Sequence, residues 1–269
     1  MCSAAFDAFA AGYDASFTET TLGRMLRRRV WEVLARHFQA GDHVLELACG
    51  TGKDAVWLAQ QGVLVMATDG SPEMLQVARR KAEAAGVGDR VTFAVMDLTL
   101  PGTRSTQHSP PLGTFDGVLS NFGGINVIGD WRPLAMRLAA CVRPGGYLVL
   151  VPMGPVCPWE IIWHLAHVDI KTAIRRLRPP ATALIGGTRI PIWYPSARRL
   201  ASDFAPWFRP THTESLGLWL PPSYLGHLVD RFPRLFSVLS HLEQRTARLT
   251  GGWGDHYVMV LRRETARLL

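Results

Sequence analysis

The chain has 269 residues, 48% hydrophobic and 19% charged, with a formal net charge of +7. A chain this long and this apolar can bury a sizeable core, which excludes disorder as its main state and suits one large domain with a cap. The apolar runs at 62–68 and 147–153 are too short to cross a bilayer, and no basic leader with a long apolar run opens the chain, so a cytoplasmic protein is expected.

Residues 3–38 read as helix with a break. Thr18 to Thr21 offer caps before 22–38, where Leu22, Met25, Leu26, Val30, Val33, Leu34 and Phe38 recur at helical spacing. Strands and helices then alternate. A strand at 43–48 is followed by a helix at 53–61, a strand at 63–68, a helix at 72–85 with proline in its first turn, and a strand at 91–96. A Pro/Ser/Thr-rich loop at 100–114 leads to a strand at 115–120. A helix at 131–142 stops before Arg143-Pro144-Gly145-Gly146, and a strand follows at 147–152. Strands spaced by helices of this length mean βαβ units and a mainly parallel sheet.

After Met153 the pattern changes. Residues 158–178 read as one helix with an apolar stripe of Trp159, Trp163, Ala166, Ile170, Ile174 and Leu177. A second stripe of Glu160, His164, His167, Lys171, Arg175 and Arg178 steps by three and four. A short strand at 189–194, a helix at 196–204, a strand at 211–220, a helical stretch at 223–249 broken at Pro233, and a last strand at 257–262 complete the chain. That final pair of strands would set an antiparallel strand near the edge of the sheet.

Charge is unevenly spread. Residues 1–154 carry 14 basic and 14 acidic side chains, whereas residues 155–269 carry 15 basic and 8 acidic, together with six of the nine tryptophans. The plain reading is a solvated Arg-rich surface. The sharper one is an anionic acceptor, an acidic lipid surface or RNA. Cys2, Cys49, Cys141 and Cys157 lie far apart and form no CxxC pair, which argues against a disulfide framework and a zinc knuckle. No metal is expected.

The segment 44–53, Val-Leu-Glu-Leu-Ala-Cys-Gly-Thr-Gly-Lys, is a buried strand running into a Gly-rich turn and a helix. Gly50 and Gly52 let the backbone turn sharply and lie against a ligand. Alone, this also fits a dinucleotide fingerprint, and an NAD(P)-dependent oxidoreductase stays open at this point. Three features narrow it. Glu46 lies at the strand end, where a carboxylate can meet an ammonium group but would repel a pyrophosphate. Asp69 ends the second strand, where a carboxylate can take both hydroxyls of a ribose. Asp97-Leu98 ends the third, placed for the amine of an adenine.

On Glu46-Leu-Ala-Cys-Gly-Thr-Gly52, Ala67-Thr-Asp-Gly-Ser-Pro-Glu-Met-Leu75, Asp97-Leu98, Phe115-Asp-Gly-Val-Leu-Ser-Asn121 and Arg143-Pro-Gly-Gly146, the chain resembles the class I S-adenosylmethionine-dependent methyltransferases. Phe6-Asp7 and Tyr13-Asp14 resemble the lid of the branch that includes ubiquinone, menaquinone and natural-product methyltransferases. The resemblance implies an α/β fold. Its core would be a Rossmann-like, doubly wound, seven-stranded, mostly parallel sheet with one antiparallel strand. A helical lid at 1–38, a cofactor core at 39–154, an acceptor cap at 155–210 inserted after strand five, and completing strands and helices at 211–269 would make one domain. It further implies S-adenosylmethionine as cofactor and S-adenosylhomocysteine as product. Glu46, Gly50 and Gly52 would hold the methionyl part, Asp69 the ribose, and Asp97 and Leu98 the adenine, with Ala48, Gly70 and Met74 also in the cofactor site. Asn121 and Phe122 would line the passage to the methyl group, and Tyr13 would close over it. Cys49 is expected to be a small packed residue rather than a nucleophile, and Asp54 to cap or solvate the next helix.

Methyl transfer needs alignment and exclusion of water, and a base only where the acceptor must lose a proton. His164, His167 and Tyr194 are the candidate bases or orienting groups, and the Trp-rich cap suits a bulky apolar acceptor. The preferred reading is methyl transfer to a small apolar or aromatic molecule, with peripheral contact to an anionic membrane as an option and nucleic acid disfavoured. An RNA or protein methyltransferase and a non-catalytic cofactor-binding protein are the alternatives.

Overall fold

The computed structural model describes residues 2–99 and 114–265. All of the loop expected at 100–114 except Thr114 lies outside the described residues. The chain opens with α1 (Cys2–Tyr13), a π-helical turn at Asp14–Thr18, and α2 (Thr21–Leu34). The expected break is a cap, since the Thr20 side chain accepts from the Gly23 N–H. Then come β1 (His43–Leu47), α3 (Lys53–Gln60), β2 (Leu64–Asp69), α4 (Pro72–Ala84), β3 (Val91–Val95), β4 (Phe115–Ser120), α5 (Arg132–Cys141) and β5 (Val142–Leu150). The C-terminal part holds α6 (Pro158–Ala166), α7 (Ile170–Ala173), β6 (Ala181–Ile185), β7 (Thr188–Ile192), α8 (Ala197–Phe204) and β8 (Phe208–Leu216). It ends with α9 (His227–Arg231), α10 (Pro233–Thr250) and β9 (His256–Arg263).

Seven strands form one sheet in the order β3-β2-β1-β4-β5-β9-β8. The pairs from β3 through β5 are parallel, and β9 runs antiparallel to both β5 and β8. This is the Rossmann-like sheet with one antiparallel strand. Alternate residues of its strands feed two cores. Val44, Val65, Leu119, Val149 and Val258 pack with α2, α3 and α10, while Leu45, Val118, Leu148 and Met259 pack with α5 and α8. Strand order reverses between β1 and β4, so a crevice opens at their carboxyl ends.

The region after β5 departs from the sequence expectation. Residues 158–178 are not one helix. The chain leaves α6 through Val168 in the left-handed region (φ 60°), and the Asp169 carboxylate caps α7 by accepting from the Thr172 N–H at 3.0 Å. A single turn at 175–177 follows. Spacing by three and four continued across this break, which is why periodicity alone joined the pieces. β6 was not expected, although Ala181-Thr-Ala-Leu-Ile runs into Gly186-Gly187, a hairpin turn signal. The β6–β7 hairpin stands apart from the main sheet and packs on α1. At its tip a Cβ on Gly186 would lie 2.4 Å from the Ala5 carbonyl oxygen, so only glycine permits this approach.

Candidate active site

A cavity of about 590 Å³ occupies the crevice. Eleven of the expected cofactor residues line it: Tyr13, Glu46, Ala48, Gly50, Asp69, Gly70, Met74, Asp97, Leu98, Asn121 and Phe122. Gly52 does not. It turns the chain into α3 at φ 71°, and a Cβ there would come within 2.6 Å of the Ala78 Cβ on α4. Ala48 (φ 52°) and Phe122 (φ 45°) also hold left-handed backbone, a strain of about 1–3 kcal/mol each that the surrounding fold must sustain.

Asp69 ties together the loops that follow β1 and β2. One carboxylate oxygen accepts from the Gly50 N–H at 2.8 Å and the other from the Ser71 N–H at 2.9 Å. Glu46 is 1% exposed, and its Oε2 is buried without a hydrogen-bond partner. Burial pushes its carboxyl well above the usual range, with the Asp54 charge adding to the effect and Arg27 opposing it. A buried, under-satisfied carboxylate on the cavity wall fits a ligand that brings an ammonium group. Burial likewise pushes the Cys49 thiol up, which disfavours its thiolate.

Asp54 does not solvate the helix end. It is 3% exposed and forms an ion pair with Arg27 from α2. It also accepts from Trp31 Nε1 at 2.7 Å and from Asn121 Nδ2 at 2.9 Å. The hub joins α2, α3 and the end of β4 under the cavity floor. Arg27, a cavity-lining residue that sequence reading missed, is one of four arginines on an amphipathic helix, with no local pattern to mark it from Arg24, Arg28 and Arg29.

The N-terminal segment crosses above. Phe9, Tyr13, Phe17 and Phe122 make an edge-to-face chain with centroid separations of 5.7, 6.4 and 5.0 Å. Asp7 accepts from the Ser71 hydroxyl. Asp14 accepts from Thr51 Oγ1 at 2.6 Å and pairs with Lys81 at 2.7 Å.

The far side of the cavity is walled by Met153, Val127, Ile185, Ile192, Tyr194 and Tyr224, with Arg175, Arg176, Asp255 and His256 as its polar groups. Of the three candidate bases only Tyr194 lies there, with the Arg176 guanidinium 5.0 Å from its ring centre. His164 sits one layer back, its Nε2 3.3 Å from the Tyr224 hydroxyl. His167 is exposed, its Nδ1 against the Trp163 carbonyl at 2.7 Å. The early end of α6 turns His167 to solvent. Among the described residues, neither Trp159, Trp163 nor Trp193 lines the cavity, and Trp159 packs on Phe236 instead.

The basic patch is also divided. Arg175 forks onto Glu160 at 2.9 and 2.8 Å. Arg176 is 5% exposed and pairs with Glu160 at 2.9 Å and Asp255 at 2.6 Å. Arg176 points inward to two buried carboxylates, and Arg175, 38% exposed on its side chain, reaches one of them from the surface. Asp255 and His256 were missed in sequence because they open the last strand. An antiparallel β9 brings its first residue to the carboxyl ends of its parallel neighbours, where His256 bridges Met153.

Residues 44–146 match the family described as methyltransferase domain. A demethylmenaquinone methyltransferase of Symbiobacterium thermophilum is 33% identical over 151 residues, covering 54% of this chain and 55% of that protein. One from Clavibacter sepedonicus is 36% identical over 149 residues, covering 55% and 56%. The chain thus spans little more than half the length of these curated relatives. Among solved structures, an S-adenosylmethionine-dependent methyltransferase from Mesorhizobium loti shares the fold, with a TM-score of 0.54 and 18% identity over 87% of this chain and 97% of that one. Residues 44–146 thus resemble a methyltransferase domain, set here in a Rossmann-like sheet.

Proposed function

We propose that the protein transfers a methyl group from S-adenosylmethionine to a small, largely apolar or aromatic acceptor. One observation carries the reading: a single cavity joins the cofactor loops to an aromatic and aliphatic chamber. In it, Glu46 would hold the ammonium, Asp69 the ribose hydroxyls, and Asp97 and Leu98 the adenine. Bound there, the cofactor supplies an electrophilic methyl whose leaving group departs neutral. The chain's own part is then to aim the acceptor and exclude water. Residues 1–38 serve as the lid and 155–210 as the acceptor cap. Phe9, Tyr13 and Phe17 close the lid side, and Ile192, Tyr194 and Tyr224 bound the acceptor. The demethylmenaquinone methyltransferases among the relatives favour an aromatic ring as that acceptor.

Calorimetry with S-adenosylmethionine, S-adenosylhomocysteine and NAD in turn tests the cofactor, and transfer of labelled methyl to a panel of naphthoquinols and phenols tests the acceptor. Binding of NAD in place of the sulfonium would overturn the reading.

A further inference from the structure

His256 opens β9, is 7% exposed, and lines the cavity beside Asp255. Its ring meets Phe122 edge-on at 5.5 Å, so it lies next to the residue that follows β4 at the cofactor loops. Its Nδ1 lies 3.2 Å from Asp255 Oδ2. Asp255 is fixed from behind, because its Oδ1 accepts from Arg176 at 2.6 Å while the same guanidinium donates to the Asp255 carbonyl at 3.0 Å. Arg176 is in turn held by Glu160 on α6. Burial alone would raise the Asp255 carboxyl, but His256 and Arg176 outweigh it and hold it well below the usual carboxylate range.

Nδ1 is buried and forms no hydrogen bond, and the Asp255 carboxylate is the charged group beside it; an ionised carboxylate there favours the neutral tautomer with the proton on Nδ1 and the lone pair on Nε2. Nε2 is then the nitrogen free to meet a molecule in the cavity. The surrounding charges nearly cancel. Asp255 and Glu160 face Arg176 and Arg175, Tyr194 and Cys157 are held neutral by burial, and Arg27 lies beyond the Phe122 ring at 4.8 Å.

We infer that His256 is the general base for acceptors that must lose a proton, and that Asp255 is its positioning residue. The inference rests on the methyl-transfer reading above. As the acceptor oxygen or nitrogen bonds to the methyl carbon, its own proton passes to Nε2. The methyl–sulfur bond breaks with its electron pair going to sulfur. A sulfonium and a neutral acceptor thus become a neutral thioether, a methylated product and an imidazolium that faces Asp255. The imidazolium returns its proton to water as product leaves.

The full-length protein labelled with ¹⁵N-histidine provides a test that needs no acceptor. Nitrogen chemical shifts should show His256 with a proton on Nδ1 and a bare Nε2, and Asp255→Asn should move the proton to Nε2. A wild-type ring protonated on Nε2 alone overturns the inference. Transfer of labelled methyl to a phenolic acceptor, 1-naphthol, then provides the kinetic arm. His256→Gln should lower kcat by about 10²–10⁴-fold while S-adenosylhomocysteine affinity, read by calorimetry, stays within about threefold. Asp255→Asn should lower kcat with KM little changed. Retained turnover in His256→Gln overturns the inference alone, whereas a wild type that binds no S-adenosylmethionine overturns the methyl-transfer reading and this with it.

Discussion

Glu46 and Asp69 are both buried acids on the cavity wall, yet they differ in how well the fold satisfies them. Asp69 accepts two backbone N–H groups, whereas one oxygen of Glu46 has no partner. A carboxyl whose folded-state value is raised binds its proton more tightly folded than unfolded. Its contribution to stability is present at low pH and lost as pH climbs from the unfolded value through the raised one. The raised Glu46 should therefore weaken the ligand-free protein at neutral pH, and an ammonium ligand should relieve it. Glu46→Gln should raise the ligand-free Tm by about 2–4 °C for each kcal/mol relieved, and should weaken S-adenosylmethionine binding by about tenfold or more. Scanning calorimetry with and without ligand reads both, and an unchanged affinity would remove Glu46 from the methionyl end. Asp69→Ala should cost more, about a hundredfold in cofactor affinity by titration calorimetry, because two charge-assisted hydrogen bonds would go at once.

At the scale of elements, legibility followed burial. β1, β2, β4 and β5 are rich in buried apolar residues because both faces of the sheet are covered, and the segments that follow β1, β2 and β4 line the cavity, so the strand ends and these loops could be read together. The cap could not be read this way. Its organising residue is Glu160, which looked like one member of a solvated stripe, while its partners Arg175 and Arg176 lie across the break at Val168 and its further link, Asp255, across most of the C-terminal part. A long-range ion network leaves no periodic trace. It does make a sharp prediction. Arg176→Ala leaves buried Asp255 with only His256 beside it and Glu160 with only the partly exposed Arg175, and should cost about 3–5 kcal/mol. Arg175 is 38% exposed on its side chain and leaves Glu160 still paired, so Arg175→Ala should cost about 1 kcal/mol or less. Urea unfolding of the two variants distinguishes a structural network from a surface patch, since a surface patch would make both losses small and alike.

Across the whole molecule, the N-terminal segment touches both halves of the cavity. Asp14 reaches the first cofactor loop at Thr51, Asp7 reaches the second at Ser71, and Ala5 packs in a small core with Ile190, Ile192 and Tyr194. Any cofactor entering beneath Tyr13 must part these contacts. Each tie is of a kind that contributes only about 0.2–1 kcal/mol when partly exposed, and the Asp14–Lys81 pair is about one-fifth exposed on both sides. The segment should thus open locally without unfolding the sheet, and a ligand bound below it should shift the balance toward closure. Hydrogen exchange over residues 5–18 should slow when S-adenosylhomocysteine binds. The 181–192 hairpin should slow with it, because Gly186 abuts Ala5. An Asp7→Ala, Asp14→Ala double variant should exchange faster at 5–18 in both states and release ligand faster, with protection of β1 and β4 unchanged. Equal exchange at 5–18 with and without ligand would mean that this segment is a fixed wall and that the cofactor enters elsewhere.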